Sequence, residues 1–211
     1  TTCGTYYHIE TLEGGRAPRV RGAVVPPEAL ADTLRPGDTL FVPCRSPAQR
    51  LVAQEGTIRA HLDAGGTVVA MGESRSDLWL PGVAFTPRPT NWWWWREPGA
   101  DLGVEFAAPG HPLMTGLDRA AVTWHLHGHF DPPGGAEVLV RDAEGRALAY
   151  VDESGTAGRT VVTSLDPCYH HGSHFMPATT RFLVGFLPAL RALATSEAAW
   201  PASPPAGTAA R

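Results

Sequence analysis

Apolar positions in this chain follow two different rhythms. Between residues 38 and 71 two short, nearly unbroken apolar runs flank a segment with helical spacing. Asp38-Thr39-Leu40-Phe41-Val42-Pro43 reads as a buried strand, and Thr67-Val68-Val69-Ala70-Met71 as a second. Between them Leu51, Val52, Ile58 and Leu62 make an apolar stripe at helical spacing, which predicts a helix over 47–64. Ser46 is its expected N-cap, with Pro47 at the first helical position and Gln49 three residues after the cap; Gly65-Gly66 is its stop. Strand, helix and buried strand at this length predict a βαβ unit with parallel strands and a right-handed crossover.

Elsewhere the pattern is shorter in period. Residues 5–12 and 19–25 are expected as strands, and Pro26 to Leu34 as a short helix. Residues 121–130, 136–141, 146–152 and 159–165 read as four further strands, with hairpin turns at Asp142-Ala143-Glu144-Gly145 and Gly155 to Gly158. From Pro177 to Ala194 a helix carries Phe182, Leu183, Phe186, Leu187, Leu190 and Leu193 on one side, with Pro188 expected to kink or split it. Residues 80–101 are rich in Pro and Gly and read as one long irregular segment. Residues 1–198 are expected to form one domain and 199–211 a disordered Pro/Ala-rich tail. The fold class is α/β, a three-layer domain with a mostly parallel sheet and an antiparallel extension.

Composition narrows the function classes. A net charge of −4, from 17 Lys+Arg against 21 Asp+Glu, with scattered arginines, gives no phosphate-binding surface, so no nucleic-acid partner is expected. No apolar run reaches the roughly 18 residues of a membrane span, so no membrane partner is expected either. Three widely spaced cysteines, Cys3, Cys44 and Cys168, make neither a disulfide framework nor a metal knuckle, and a reducing cytoplasm is the expected compartment.

The candidate chemistry lies in two histidine clusters, which hold six of the nine histidines. The first is Trp124-His125-Leu126-His127-Gly128-His129; in a strand its three imidazoles would share a face. The second is Asp166-Pro167-Cys168-Tyr169-His170-His171-Gly172-Ser173-His174, following a strand of its own. Ligands of an open parallel sheet bind beyond the carboxyl ends of its strands. Cys44, Glu73, Ser74, Asp166, His170 and His171 all fall at such ends. His125, His127, His129, His170, His171 and His174 are candidate ligands of a divalent metal, zinc or similar; non-metal acid–base work and a structural role are the alternatives. Asp166 can orient an imidazole, as carboxylates do behind metal-bound histidines. Trp92 to Trp95 form either a plug closing the core or, through Trp93 and Trp95, a platform for a flat ligand. Cys44 is a nucleophile only if a histidine lies near; otherwise it is a buried inert thiol.

The order strand, helix, Gly-Gly, buried strand, the turn Met71-Gly72-Glu73, His111-Pro112-Leu113 to Gly116-Leu117, and Gly158-Arg159-Thr160-Val161-Val162 leading to a histidine resembles the class I glutamine-amidotransferase-like superfamily. Within it the chain is most similar to the ThuA-like branch linked to sugar utilisation, over residues 36–194. The resemblance implies a flavodoxin-like fold and a site at the strand-end rim. In a true amidotransferase a cysteine nucleophile stands at the turn occupied here by Gly72, and a His-x-Glu follows late in the chain. Neither is present, and Ser74 only mimics a nucleophile elbow two residues late. No glutaminase activity is expected.

The expected function is an enzyme-like site for a small molecule, a carbohydrate or other polar metabolite. His127 and His171 are its acid–base or metal-binding groups, Glu73 and Asp166 its carboxylates, and Trp93, Trp95, Cys44 and Ser74 its substrate contacts. The alternative is a non-catalytic binding or assembly module of the same fold. Apart from its small-molecule ligand, the expected partner is a second copy of the chain.

Overall fold

The computed structural model describes residues 1–18, 22–90 and 92–195. Helix α1 (Tyr6–Glu13) opens the chain, followed by the single-turn α2 (Leu30–Thr33), β1 (Thr39–Val42), α3 (Ala48–Val52), α4 (Glu55–Asp63) and β2 (Thr67–Met71). Short strands β3 (Phe85–Pro87), β4 (Glu105–Phe106) and β5 (Gly128–Phe130) come next, then β6 (Glu137–Arg141), β7 (Ala147–Asp152), β8 (Arg159–Thr163), α5 (Pro167–Gly172) and α6 (Pro177–Thr195).

One mixed sheet runs in the order β1-β2-β8-β7-β5-β3, with β6 also on β7 and β4 on β6. β1 pairs parallel to β2, and β2 parallel to β8. The other ladders, β3·β5, β4·β6, β5·β7, β6·β7 and β7·β8, are antiparallel. The expected βαβ unit is therefore present, but the expectation of a mostly parallel sheet is not met. Two of the seven ladders among the described residues are parallel, because short turns join β6, β7 and β8 as hairpins, and a hairpin can only be antiparallel.

Side-chain alternation puts a core on each face of the parallel strands. Leu40, Val42, Val68, Ala70 and Val162 pack with Leu51, Ile58 and Leu62 from α3 and α4. Phe41, Val69, Met71 and Val161 join Phe182, Leu183, Phe186 and Leu190 from α6. Burying each such side chain stabilises the fold by roughly 1.5–3 kcal/mol.

Several local expectations are corrected. Residues 5–12 do not form a strand. His8, Thr11 and Leu12 are buried at helical spacing on α1, which packs against α5 and overrides the strand preference of its aromatic and β-branched residues. Residues 22–25 are irregular, and 19–21 lie outside the described residues. The helix of 47–64 is broken at Ala53-Gln54 into α3 and α4. Pro47, not Ser46, occupies its N-cap, and the Ser46 hydroxyl instead donates to the Pro43 carbonyl at 2.8 Å. The segment 80–101 contains β3, and only Gly128–Phe130 of 121–130 is a strand. Helix α6 runs through Pro188 without splitting. The tail expected at 199–211 lies outside the described residues.

Candidate functional site

The three parallel strands end together, and their first loop residues build the floor of the site. Gly72 makes this possible. At φ +53° it turns the chain after β2, and a Cβ there would stand 2.6 Å from Cys44 Cβ and 2.7 Å from Asp166 Cβ. Only a glycine lets the loops after β1, β2 and β8 approach so closely. Those loops present Arg45, Glu73 and Asp166. Arg45 is itself in the left-handed region, at φ 61°.

Asp166 occupies the N-cap of α5, yet its carboxylate makes no cap bond to the helix amides. It faces inward, fully buried, to a ring of bases. His125 Nε2 lies 3.1 Å from Oδ1, while His127 Nε2 and His170 Nε2 lie 3.2 Å and 3.3 Å from Oδ2. His170 stands four residues along α5, so one helical turn returns its ring to the same carboxylate. His125 and His170 also meet each other, Nε2 to Nε2, at 2.9 Å. The two histidine clusters thus converge on one carboxylate.

His125 and His127 come from an extended segment ahead of β5. The Arg88 amide holds this segment by donating to the His127 carbonyl at 2.9 Å. Gly128 is needed where it turns into the strand, since a Cβ would fall 2.3 Å from the Thr86 carbonyl oxygen. His127 Nδ1 reaches Glu73 Oε1 and Thr90 Oγ1, each at 3.2 Å. Arg45 closes the ring, with Nε 3.0 Å from Glu73 and Nη2 3.6 Å from Asp166.

The electrostatics follow from this packing. Burial pulls the His127 pKa down, but Asp166 and Glu73 outweigh it and raise it to about 9. Burial dominates at His125 and lowers its pKa despite Asp166. Burial would raise the Asp166 pKa, yet the three imidazoles hold it well below the ordinary carboxylate value. Among the buried atoms of the ring that lack a hydrogen-bond partner, His127 Nε2 and Asp166 Oδ2 lie only 3.2 Å apart. The pair is close without being aligned as donor and acceptor.

In front of this floor opens a cavity of about 730 Å³, within the range of small-molecule sites. Trp92 to Trp95, Trp124, Tyr169 and Phe175 wall it, and Arg45, His125 and His170 lie at its base. The Trp92 ring sits 4.4 Å from His125 and 5.4 Å from His127 between centroids. The Arg45 guanidinium lies 3.7 Å over the Tyr169 ring.

Ligand atoms around a tetrahedral ion at about 2.05 Å are spaced about 3.3 Å apart. The imidazole–carboxylate spacings of 3.1, 3.2 and 3.3 Å are compatible with that value and equally with ion pairs or long hydrogen bonds. One ligand atom from each of His125, His127 and Asp166 lies within 4.8 Å of the others, a group that can hold a metal ion.

No family model and no curated protein matches this chain. A solved structure does. The chain is similar to Cytoplasmic Protein STM1381 from Salmonella typhimurium LT2, at 14% identity and a TM-score of 0.50, over 86% of this chain and 85% of that one. At that identity the likeness concerns the fold alone. Exo-beta-1,4-mannosidase Op5Man5 from Opitutaceae bacterium strain TAV5 overlaps at 12% identity and a TM-score of 0.44, over 87% of this chain and 30% of the other.

Of the residues singled out in the sequence, His125, His127, His170, Glu73 and Asp166 come together. Trp93 and Trp95 line the cavity wall, more than half exposed. Others stand apart. His171 turns to Thr180, its Nδ1 2.9 Å from Oγ1, since successive helix residues point about 100° apart. His174 is exposed beside Arg16 and Glu10. His129 pairs with Thr86 inside the sheet. The Ser74 side chain is buried, and its carbonyl accepts from Trp79 Nε1 at 2.9 Å. Cys44 is buried behind Gly72, and burial, with Cys168 and Asp166 nearby, pushes its thiol pKa well up. Arg45 and Tyr169 were passed over in the sequence, and Trp92 was read as part of the tryptophan run while the platform was assigned to Trp93 and Trp95. Arg45 carried a usable signal, its place directly after a predicted strand; Tyr169 carried none beyond its neighbours.

Proposed function

We propose that this chain is an enzyme for a small molecule, a carbohydrate or other polar metabolite. Its site holds a divalent cation, zinc or similar, on His125, His127 and Asp166, with His170 beside them. The observation that carries this reading is the buried convergence of three imidazole nitrogens on one carboxylate, with His127 Nε2 and Asp166 Oδ2 left without hydrogen-bond partners. When bound, such a cation polarises a substrate oxygen and acidifies water. The chain's own groups do the rest. Glu73 accepts the Nδ1–H of His127, which fixes the tautomer that leaves Nε2 free to ligate. Trp92 covers the imidazoles and keeps water from them. Arg45 balances the two carboxylates.

The same proposal places the chain in the ThuA-like branch of the amidotransferase-like superfamily, with a three-layer flavodoxin-like arrangement and a cytoplasmic location. It is supported by helix-backed cores on both faces of the parallel strands and by the likeness to STM1381, which is named a cytoplasmic protein. Glutaminase chemistry is excluded from the proposal, because the turn at Gly72 has no room for a nucleophile. A non-catalytic binding module is the second reading, favoured by the aromatic wall of the cavity, which can hold a ligand without reacting with it.

Elemental analysis of protein purified without added metal tests the cation. About one equivalent of a transition metal, lost in His127→Ala, is expected. A metal-free protein that stays metal-free after dialysis against zinc leaves an ion-paired cluster and refutes the cation. Turnover of a bound ligand separates enzyme from binding module.

A further inference from the structure

The cavity's polar lining is one-sided. Among the described residues that line it, Arg45, His125, His170 and Thr123 offer polar or charged side chains besides the aromatic N–H and O–H groups. The two carboxylates that neutralise this cluster, Glu73 and Asp166, do not line it. An entering ligand therefore meets a guanidinium, imidazoles and indole N–H groups, and no acid.

Arg45 is built to be read. Its backbone is held at φ 61°, a conformation that costs free energy and persists only where the surroundings impose it. Its guanidinium lies 3.7 Å from the Tyr169 ring centroid and 5.9 Å from that of Trp92, and it is ion-paired with Glu73, whose carboxylate lies 3.0 Å from Nε. A guanidinium with a fixed plane at the base of an apolar cavity is a preorganised carboxylate receptor.

We propose that the ligand carries a single carboxylate, held by Arg45, on a ring-bearing body that lies against the tryptophans. This inference rests on the cavity being a ligand site and names the charge class of what it takes. The charge count sets the number one. With the proposed divalent cation in place, it and Arg45 together face Glu73 and Asp166, which leaves one positive charge to be matched; in the metal-free protein Arg45 and protonated His127 already balance the two acids, so the preference for an acid should be larger in the zinc-supplemented protein. A dianion would leave a negative charge unpaired in an aromatic pocket, where desolvation makes that costly. The body lies against aromatic faces, which accept both aromatic rings and sugar rings.

Calorimetric titration with two matched pairs tests this: phenylacetate against phenylacetamide, and glucuronate against glucose. Each pair keeps the ring and changes the charge. Both zinc-supplemented and EDTA-treated protein are titrated. At least one acid is expected to bind tenfold or more tightly than its neutral partner. Arg45→Gln should bring that ratio within twofold, and Arg45→Lys should keep part of it. Whichever pair shows the preference says whether the body is aromatic or a sugar. If Arg45→Gln fails to fold, the wild-type ratio and the Lys variant decide. Neutral partners binding as tightly as the acids overturn the proposal and leave the ligand site standing. An acid preference that survives in a folded Arg45→Gln variant also overturns it. Binding of none of the four overturns both.

Discussion

Replacing Asp166 by asparagine is the sharpest single perturbation of this protein. The change is nearly isosteric, so it tests charge and not packing. The carboxylate is fully buried, with three imidazole nitrogens within 3.3 Å and Arg45 Nη2 at 3.6 Å. In the metal-free protein the charged partner is His127, whose pKa rises from the ordinary 6.5 to about 9. A shift of that size corresponds to roughly 3 kcal/mol of stability. Because the folded pKa is raised, this contribution is fully present below pH 6.5 and is lost as pH climbs through 9. The substitution leaves His127 and Arg45 to share Glu73 as their carboxylate partner. Breaking a buried pair by removing one partner costs about 3–5 kcal/mol. For a domain of this size each kcal/mol moves Tm by about 2–4 °C, so Asp166→Asn should lower it by roughly 6–20 °C at pH 7. The assay is urea and thermal unfolding in EDTA from pH 6 to 10. The stability advantage of wild type over the variant should shrink between pH 6.5 and 9, while the buried Thr1 amine, whose pKa burial lowers to about 5, gives both proteins the same rising contribution below pH 8. A variant within about 1 kcal/mol of wild type, with the same pH slope, would refute the buried ion-pair account.

Other outcomes follow from the same geometry. Gly72→Ser should destabilise by about 2–4 kcal/mol in urea unfolding, since its Cβ would overlap Cys44 and Asp166 at positive φ; neither it nor wild type should release ammonia from glutamine. His111, whose Nδ1 accepts the Leu113 amide at 3.2 Å, has its pKa lowered by burial to about 4. Its contribution is therefore present above pH 6.5 and lost as pH falls towards 4, and His111→Asn should flatten acid unfolding in that window. Iodoacetamide should alkylate the half-exposed Cys3 in the native protein well before the buried Cys44 and Cys168; mass spectrometry of the labelled peptides checks the order.

The sequence was legible where local signals and tertiary packing agree. Two buried runs around an apolar stripe predicted β1, β2 and the crossover between them, and the turn residues predicted the β6–β7–β8 hairpins. The pairing direction of the whole sheet was not legible, because it depends on which strands meet and not on any one strand's composition. α1 was misread because aromatic and β-branched residues favour a strand until α5 packs on the face of His8, Thr11 and Leu12. At the site, the H-x-H spacing rightly paired His125 with His127, but it extended to His129, which enters β5 and pairs across the sheet. His171 looked equivalent to His170; only the helical turn of α5 separates them. Cys44 drew attention for its chemistry, while its neighbour Arg45 reaches the cavity.

Zinc binding to the EDTA-treated protein tests the central claim most directly. Titration calorimetry of wild type against the His125→Ala and His127→Ala variants reads the affinity and the contribution of each ligand. One equivalent is expected to bind in the wild type, with affinity falling at least tenfold in either variant and proton uptake by the buffer on binding, since His127 must give up its proton to ligate. Absence of binding in the wild type, or equal affinity in all three proteins, would contradict the account.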